Sequence, residues 1–87
     1  MTERVIKYAQ RAYLRDVDDW LSNPDQMVVN GRIPARVIES YRLLASDMGL
    51  DFDQLIRERG TPYERERFRR LVAGEPIDHQ VILEAIR

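Results

Sequence analysis

The chain has 87 residues, of which 14 are basic and 15 are acidic, and it contains no cysteine. This length allows a single domain. The absence of cysteine excludes disulfides, a thiol nucleophile and a cysteine-based zinc site. A formal net charge of −1 differs from the overall basic charge of many nucleic-acid-binding domains. We therefore expect one domain over residues 1–87 that depends on its own apolar core.

The amino-terminal segment is typical of a helix. Thr2 can cap it, and apolar residues recur at three- and four-residue steps from Val5 to Leu21. Asn23-Pro24 ends it, because proline disfavours helix in the residue before it. The pattern fits either one long helix or two helices with a bend near residues 11–14. The segment is charged throughout, so we expect no signal peptide, no membrane span and a cytoplasmic location.

A short loop or mini-hairpin is predicted over residues 24–33, because Asn30-Gly31 tolerates positive φ and favours a tight turn. Pro34 fits the first turn of a second helix, and Gly49 lies where a carboxyl-terminal cap belongs. The apolar stripe of that helix is predicted to be Val37, Ile38, Tyr41, Leu44, Ala45 and Met48.

Residues 50–87 carry three further helix starts. Asp51 and Asp78 are predicted caps, and Thr61 with Glu64 forms a capping box around a proline at the first helical position. The fold class is therefore predicted to be all-α, a bundle of four or five helices. The inward-facing residues of the last two helices are predicted to be Phe68, Leu71, Val72, Val81, Ile82, Ala85 and Ile86.

Catalysis is the least supported function. The chain has one histidine, His79, and no serine in a nucleophile motif. Asp16, Asp18 and Asp19 lack the alternating spacing of a calcium loop. We expect no enzyme activity, no cofactor and no metal.

Two groups of arginines are candidate binding sites. Arg32 and Arg36 flank the start of the second helix, where free N–H groups can bind phosphate. The second group lies in the segment 57–70, where arginines alternate with glutamates. Such a pattern is typical either of an exposed helix face that carries many ion pairs or of a surface that binds an acidic partner. Within it, Glu66 and Arg70 are expected to pair at i,i+4. The second group comprises Arg57, Arg59, Arg65, Arg67, Arg69 and Arg70.

Residues 15–42 contain, in this order, Val17-x-x-Trp20, Gly31-Arg32-Ile33-Pro34, Val37 and Tyr41. With this order the segment resembles the carboxyl-terminal DNA-binding domain of the Lsr-type nucleoid-associated silencers of actinobacteria. That family has a tryptophan-bearing helix, an Arg-Gly-Arg-Ile-Pro loop and a second helix. Small helix-loop-helix modules such as the peripheral-subunit-binding domains of acyltransferases carry similar loops.

The resemblance implies that the loop Asn30, Gly31 and Arg32 enters the minor groove of AT-rich DNA, with Arg36 and Arg42 near phosphates. Asn30 stands where the family has its first arginine. We therefore expect a DNA-binding or DNA-associated regulatory protein. The alternative is a protein-interaction module, an inhibitor or adaptor, whose arginine-rich segment 57–70 binds a protein with an acidic surface.

Overall fold

The computed structural model describes residues 3–87. This part of the chain forms five α-helices and no strand, which confirms the all-α prediction. The first segment is one continuous helix, and its predicted cap, Thr2, lies outside the described residues. The helices are α1 (Glu3–Ser22), α2 (Ala35–Asp47), α3 (Phe52–Arg59), α4 (Pro62–Ala73) and α5 (His79–Ala85).

The core is centred on an aromatic cluster between α1 and α2. The ring of Trp20 lies 4.0 Å from that of Tyr41 and 5.8 Å from that of Tyr13, measured between centroids. The hydroxyl of Tyr13 donates a hydrogen bond of 2.6 Å to the backbone carbonyl of Tyr41. Burial raises the pKa of Tyr13 to about 12, so this phenol keeps its proton and remains a donor at neutral pH.

The predicted helix starts are confirmed. The side chains of Asp51 and Asp78 accept hydrogen bonds from the first turns of α3 and α5. At α4 the capping box is complete: Thr61 Oγ1 accepts from the Glu64 N–H at 3.1 Å, and the Glu64 carboxylate accepts from the Thr61 N–H at 3.0 Å.

The predicted mini-hairpin is also confirmed. A 3₁₀ turn at Pro24–Met27 leads into an isolated antiparallel bridge between Val29 and Arg32. The two residues between them, Asn30 and Gly31, have φ values of 54° and 81°. An Asn-Gly pair adopts this left-handed backbone at low cost, which explains why the turn forms here.

Three predictions of burial are wrong. Leu44 is 47% exposed because it lies at the edge of the α2 stripe, and Val81 is 39% exposed. Ala85 is exposed as well. Helix α5 has only seven residues and packs mainly on α4, so a single side chain, Ile82, is fully buried.

We predict that Trp20→Ala destabilises the domain by about 3–5 kcal/mol, because it removes a buried indole from the centre of the core. The matched control is Tyr8→Ala on the same helix, where the side chain is 75% exposed. Urea denaturation followed by circular dichroism measures both variants. An unchanged cooperative transition for Trp20→Ala would contradict the central position of this side chain.

We predict that Thr61→Ala lowers the free energy of unfolding by roughly 1 kcal/mol, since an unsatisfied N–H group appears at the start of α4. Thr61→Ser retains the hydroxyl and should restore most of the loss. Thermal denaturation of both variants tests the cap, and equal melting temperatures for alanine and serine would argue against it.

Candidate functional site

Arg32, predicted to reach DNA, is bound to the carboxyl end of α4. Its guanidinium donates a hydrogen bond of 3.1 Å to the Val72 carbonyl, and the adjacent Ile33 N–H donates to the Leu71 carbonyl at 2.9 Å. The last carbonyls of a helix have no partner within the helix and carry partial negative charge. Gly74 gives the guanidinium room, because a Cβ there would lie 3.4 Å from Arg32 Nη1. The loop thus caps α4.

Arg42, predicted to lie near phosphate, is also engaged within the protein. Its guanidinium contacts Asp53 at 3.0 Å and Glu39 at 3.4 Å, and lies 5.9 Å from the centroid of the Phe52 ring. The hydrogen bond to Asp53, above all, raises the pKa of Arg42. Two carboxylates already neutralise this cation, which makes it a poor phosphate ligand.

Three predicted loop residues remain accessible. Asn30 and Gly31 form the exposed tip of the mini-hairpin, and Arg36 is exposed in the first turn of α2. The Arg36 guanidinium has no hydrogen bond or ion pair with any side chain in residues 3–87. The structure therefore brings Asn30, Gly31, Arg32 and Arg36 to the amino-terminal end of α2, places Arg42 further along the helix, and leaves Arg36 as the cation without a partner side chain.

Two arginines of the segment 57–70 hold α1 in place. Arg59 forms a bidentate pair with Asp18, at 2.7 and 2.8 Å, and this hydrogen bonding lowers the pKa of Asp18. Arg67 donates to the carbonyls of Leu21 and Ser22, which are the last residues of α1. These bonds join α1 to α3 and to α4.

Two further arginines form a carboxylate network on α4. The predicted Glu66–Arg70 pair is confirmed at 3.1 Å, and Arg69 contacts both Glu66 and Glu75 at 2.8 Å. Hydrogen bonds from Arg69 hold the pKa of Glu66 below its usual range. Of the six arginines in this segment, Arg57, Arg65 and Arg67 have no carboxylate partner within the described chain, and Arg67 is bound to backbone carbonyls instead.

A set of exposed residues on α1 was not predicted as a site. We call Arg4, Lys7, Arg11 and Arg15 the basic stripe. At about 100° per residue, Arg4, Arg11 and Arg15 lie within an arc of about 40°, with Tyr8 beside them. These three arginines have no carboxylate partner among residues 3–87, and Lys7 contacts only Glu3, at 3.5 Å on the surface.

The basic stripe faces away from the rest of the molecule. The buried side chains of α1 are on its opposite side, and none of the side chains from Glu3 to Ala9 is buried. The helical spacing 4, 8, 11 and 15 was visible in the sequence. The net charge of the whole chain is near zero and therefore does not indicate the local excess of cations on α1.

The chain matches no family model, no curated protein and no solved structure. The resemblance over residues 15–42 therefore stays a prediction. None of the helices in the described part of the chain is long and apolar enough to cross a membrane. Across residues 3–87, no group of three or more potential metal ligands is found.

We predict that Arg32→Ala lowers the free energy of unfolding by about 0.5–1 kcal/mol, because the end of α4 loses a cationic cap. Arg36→Ala, two residues into the next helix and without a partner side chain, is the matched control and should leave stability unchanged. Urea denaturation at low and high salt measures both variants. Equal stabilities would show that the Arg32–Val72 contact contributes nothing to the fold.

Proposed function

We propose that this protein binds duplex DNA and that the basic stripe of α1 supplies its main phosphate contacts. The observation that carries the proposal is the alignment of three arginines without carboxylate partners, Arg4, Arg11 and Arg15, on the face opposite the core. They extend over about 16 Å of helix. Guanidinium groups are suited to phosphate because they present a planar fork of donors.

The charge order along α1 supports a function beyond helix stability. Cations stabilise a helix near its carboxyl end and anions near its amino end. In α1, Arg4, Lys7 and Arg11 of the basic stripe lie in the amino-terminal half and Arg15 lies just past the middle, while the nearby carboxylates, Asp16, Asp18 and Asp19, lie closer to the carboxyl end. Asp18 has a structural partner in Arg59, but the basic stripe has none of comparable strength. A phosphate backbone would provide the missing anions.

The shape of α1 also fits the proposal. A single α-helix fits the major groove of B-form DNA, which is about 12 Å wide. Tyr8 lies beside the arginines and is 75% exposed, so its hydroxyl can donate to a phosphate oxygen. The net charge of −1 does not oppose binding at α1, because two of the carboxylates, Glu66 and Glu75, are paired with arginines of α4.

The loop around Arg32 is a second candidate contact, favoured by the sequence resemblance. To enter a minor groove, Arg32 would have to give up its hydrogen bond to Val72. Arg36 needs no such rearrangement. We therefore assign the loop a smaller share of the binding energy than the basic stripe.

We predict that the triple variant Arg4→Gln, Arg11→Gln, Arg15→Gln binds duplex DNA more weakly. The slope of log affinity against log salt should become shallower by about 2–3 units, because each lost phosphate contact removes about 0.9 unit. The matched control is Arg57→Gln, Arg65→Gln, Arg87→Gln, which removes the same charge from other surfaces. Fluorescence anisotropy with AT-rich and GC-rich duplexes at several salt concentrations measures both.

The outcomes separate the candidate functions. Equal losses for the two triple variants would indicate only a general charge effect. A selective loss of AT-rich binding in Arg32→Ala would move the site to the loop, since a groove-inserted arginine responds to groove width. No binding of the unaltered protein at near-physiological salt would overturn DNA binding. Binding to anionic vesicles that matches binding to DNA would indicate a non-specific polyanion surface.

A further inference from the structure

A groove of about 480 Å³ lies between α2, α3 and α4. Its apolar lining comes from the same residues that close the core there. Phe52 and Phe68 are buried, and their rings lie 6.3 Å apart between centroids. Ile56 and Val72 are only half-buried, although they pack against the core cluster. Apolar surface that the fold leaves uncovered therefore remains in this groove.

We propose that this groove binds an acidic amphipathic helix of a partner protein. The proposal is independent of DNA binding, because no residue of the basic stripe lines the groove. The volume lies within the range of about 300–1,000 Å³ typical of binding clefts. An amphipathic helix inserts apolar side chains from one face, spaced three or four residues apart, into a groove between helices.

The charges around the groove select an acidic partner. Of the three arginines that line it, Arg42 and Arg69 are already paired with carboxylates, and Arg57 is the cation that remains for a partner. Asp53 is already paired with Arg42, so it attracts a basic partner weakly. Arg57 is exposed and has no carboxylate partner within residues 3–87. A glutamate or aspartate beside the apolar face of a docked helix would pair with Arg57 without breaking any contact of the fold.

Helix α1 of a second copy fits the groove less well. It carries a cluster of acidic residues near its end, at Asp16, Asp18 and Asp19. The apolar face of α1 is already used in the core, through Val17 and Trp20. On α2, Leu43 and Leu44 are 59% and 47% exposed beside Glu39 and Asp47, so self-association is the competing outcome that the test measures.

The test uses two helical peptides with the same leucine spacing, one with glutamates and one with lysines at the flanking positions. Titration into the isotopically labelled full chain, followed by two-dimensional NMR, gives the affinity and the location of binding. We expect the acidic peptide to bind up to about fivefold more tightly, the factor that corresponds to a favourable ion pair at a surface. The shifted signals should fall at the groove residues Ile38, Phe52, Ile56, Phe68 and Val72.

Reversing the charge of Arg57 shows whether the acidic peptide forms an ion pair with this side chain or is only attracted by the overall charge of the protein surface. In Arg57→Glu the preference should turn toward the lysine peptide, while Arg65→Glu, an exposed arginine outside the groove, should leave it unchanged. Ala73→Gln adds bulk at the groove wall and should weaken the acidic peptide, whereas Ala85→Gln on α5 should not.

Three results would overturn the proposal: equal affinity for both peptides, shifts confined to the basic stripe, or concentration-dependent self-association that covers the groove. DNA binding is measured on the same variants. Arg57→Glu should leave the salt slope of DNA binding unchanged, so a failure of the groove proposal is distinguishable from a failure of DNA binding.

Discussion

The fold depends on arginine side chains that satisfy the carboxyl ends of helices. Arg67 donates to the last carbonyls of α1, and Arg32 donates to Val72 at the end of α4. An 87-residue domain buries a smaller share of its surface than a large one, so its core alone leaves a thin margin of stability. Each guanidinium adds a charge-assisted hydrogen bond and places a cation where the helix dipole favours it. These bonds also fix the positions of α1, α4 and the loop relative to one another.

This structural use of arginine decides which cations remain for binding. Arg42, Arg59, Arg69 and Arg70 each have a carboxylate within the protein. The arginine-rich segment 57–70 is therefore largely a network that joins helices, and its abundance of arginine alone does not make it a binding surface. Within this segment only Arg57 and Arg65 have no hydrogen-bonded or ion-paired partner in the described chain, whereas three such arginines, Arg4, Arg11 and Arg15, are aligned on α1. The number of arginines in a sequence gives the number of cationic side chains. Only the hydrogen bonds and ion pairs of the folded chain show which of these side chains are already neutralised.

The features that sequence could predict are local. The capping box at Thr61 and Glu64 spans four residues, and the Asn30-Gly31 turn spans two, so residue preferences determine both. The five helices follow from such signals together with the apolar spacing. The Arg32–Val72 bond joins residues 40 positions apart, and no local pattern reveals it. The exposure of Leu44 and Val81 depends on which neighbouring helix covers each face, which is also a property of the tertiary structure.

The arrangement of α1 and α2 decides whether the loop around Arg32 and the basic stripe can form one surface for the proposed binding of DNA. Helices α1 and α2 run antiparallel, because Gln10 contacts Met48 whereas Trp20, further along α1, contacts Tyr41. The amino-terminal half of α1 thus lies beside the carboxyl end of α2. Arg36 and the mini-hairpin lie at the other end of α2, a helix of 13 residues and about 20 Å. The loop and the basic stripe are therefore separate surfaces, and the arginines without carboxylate partners favour α1 as the main contact of the proposed DNA complex.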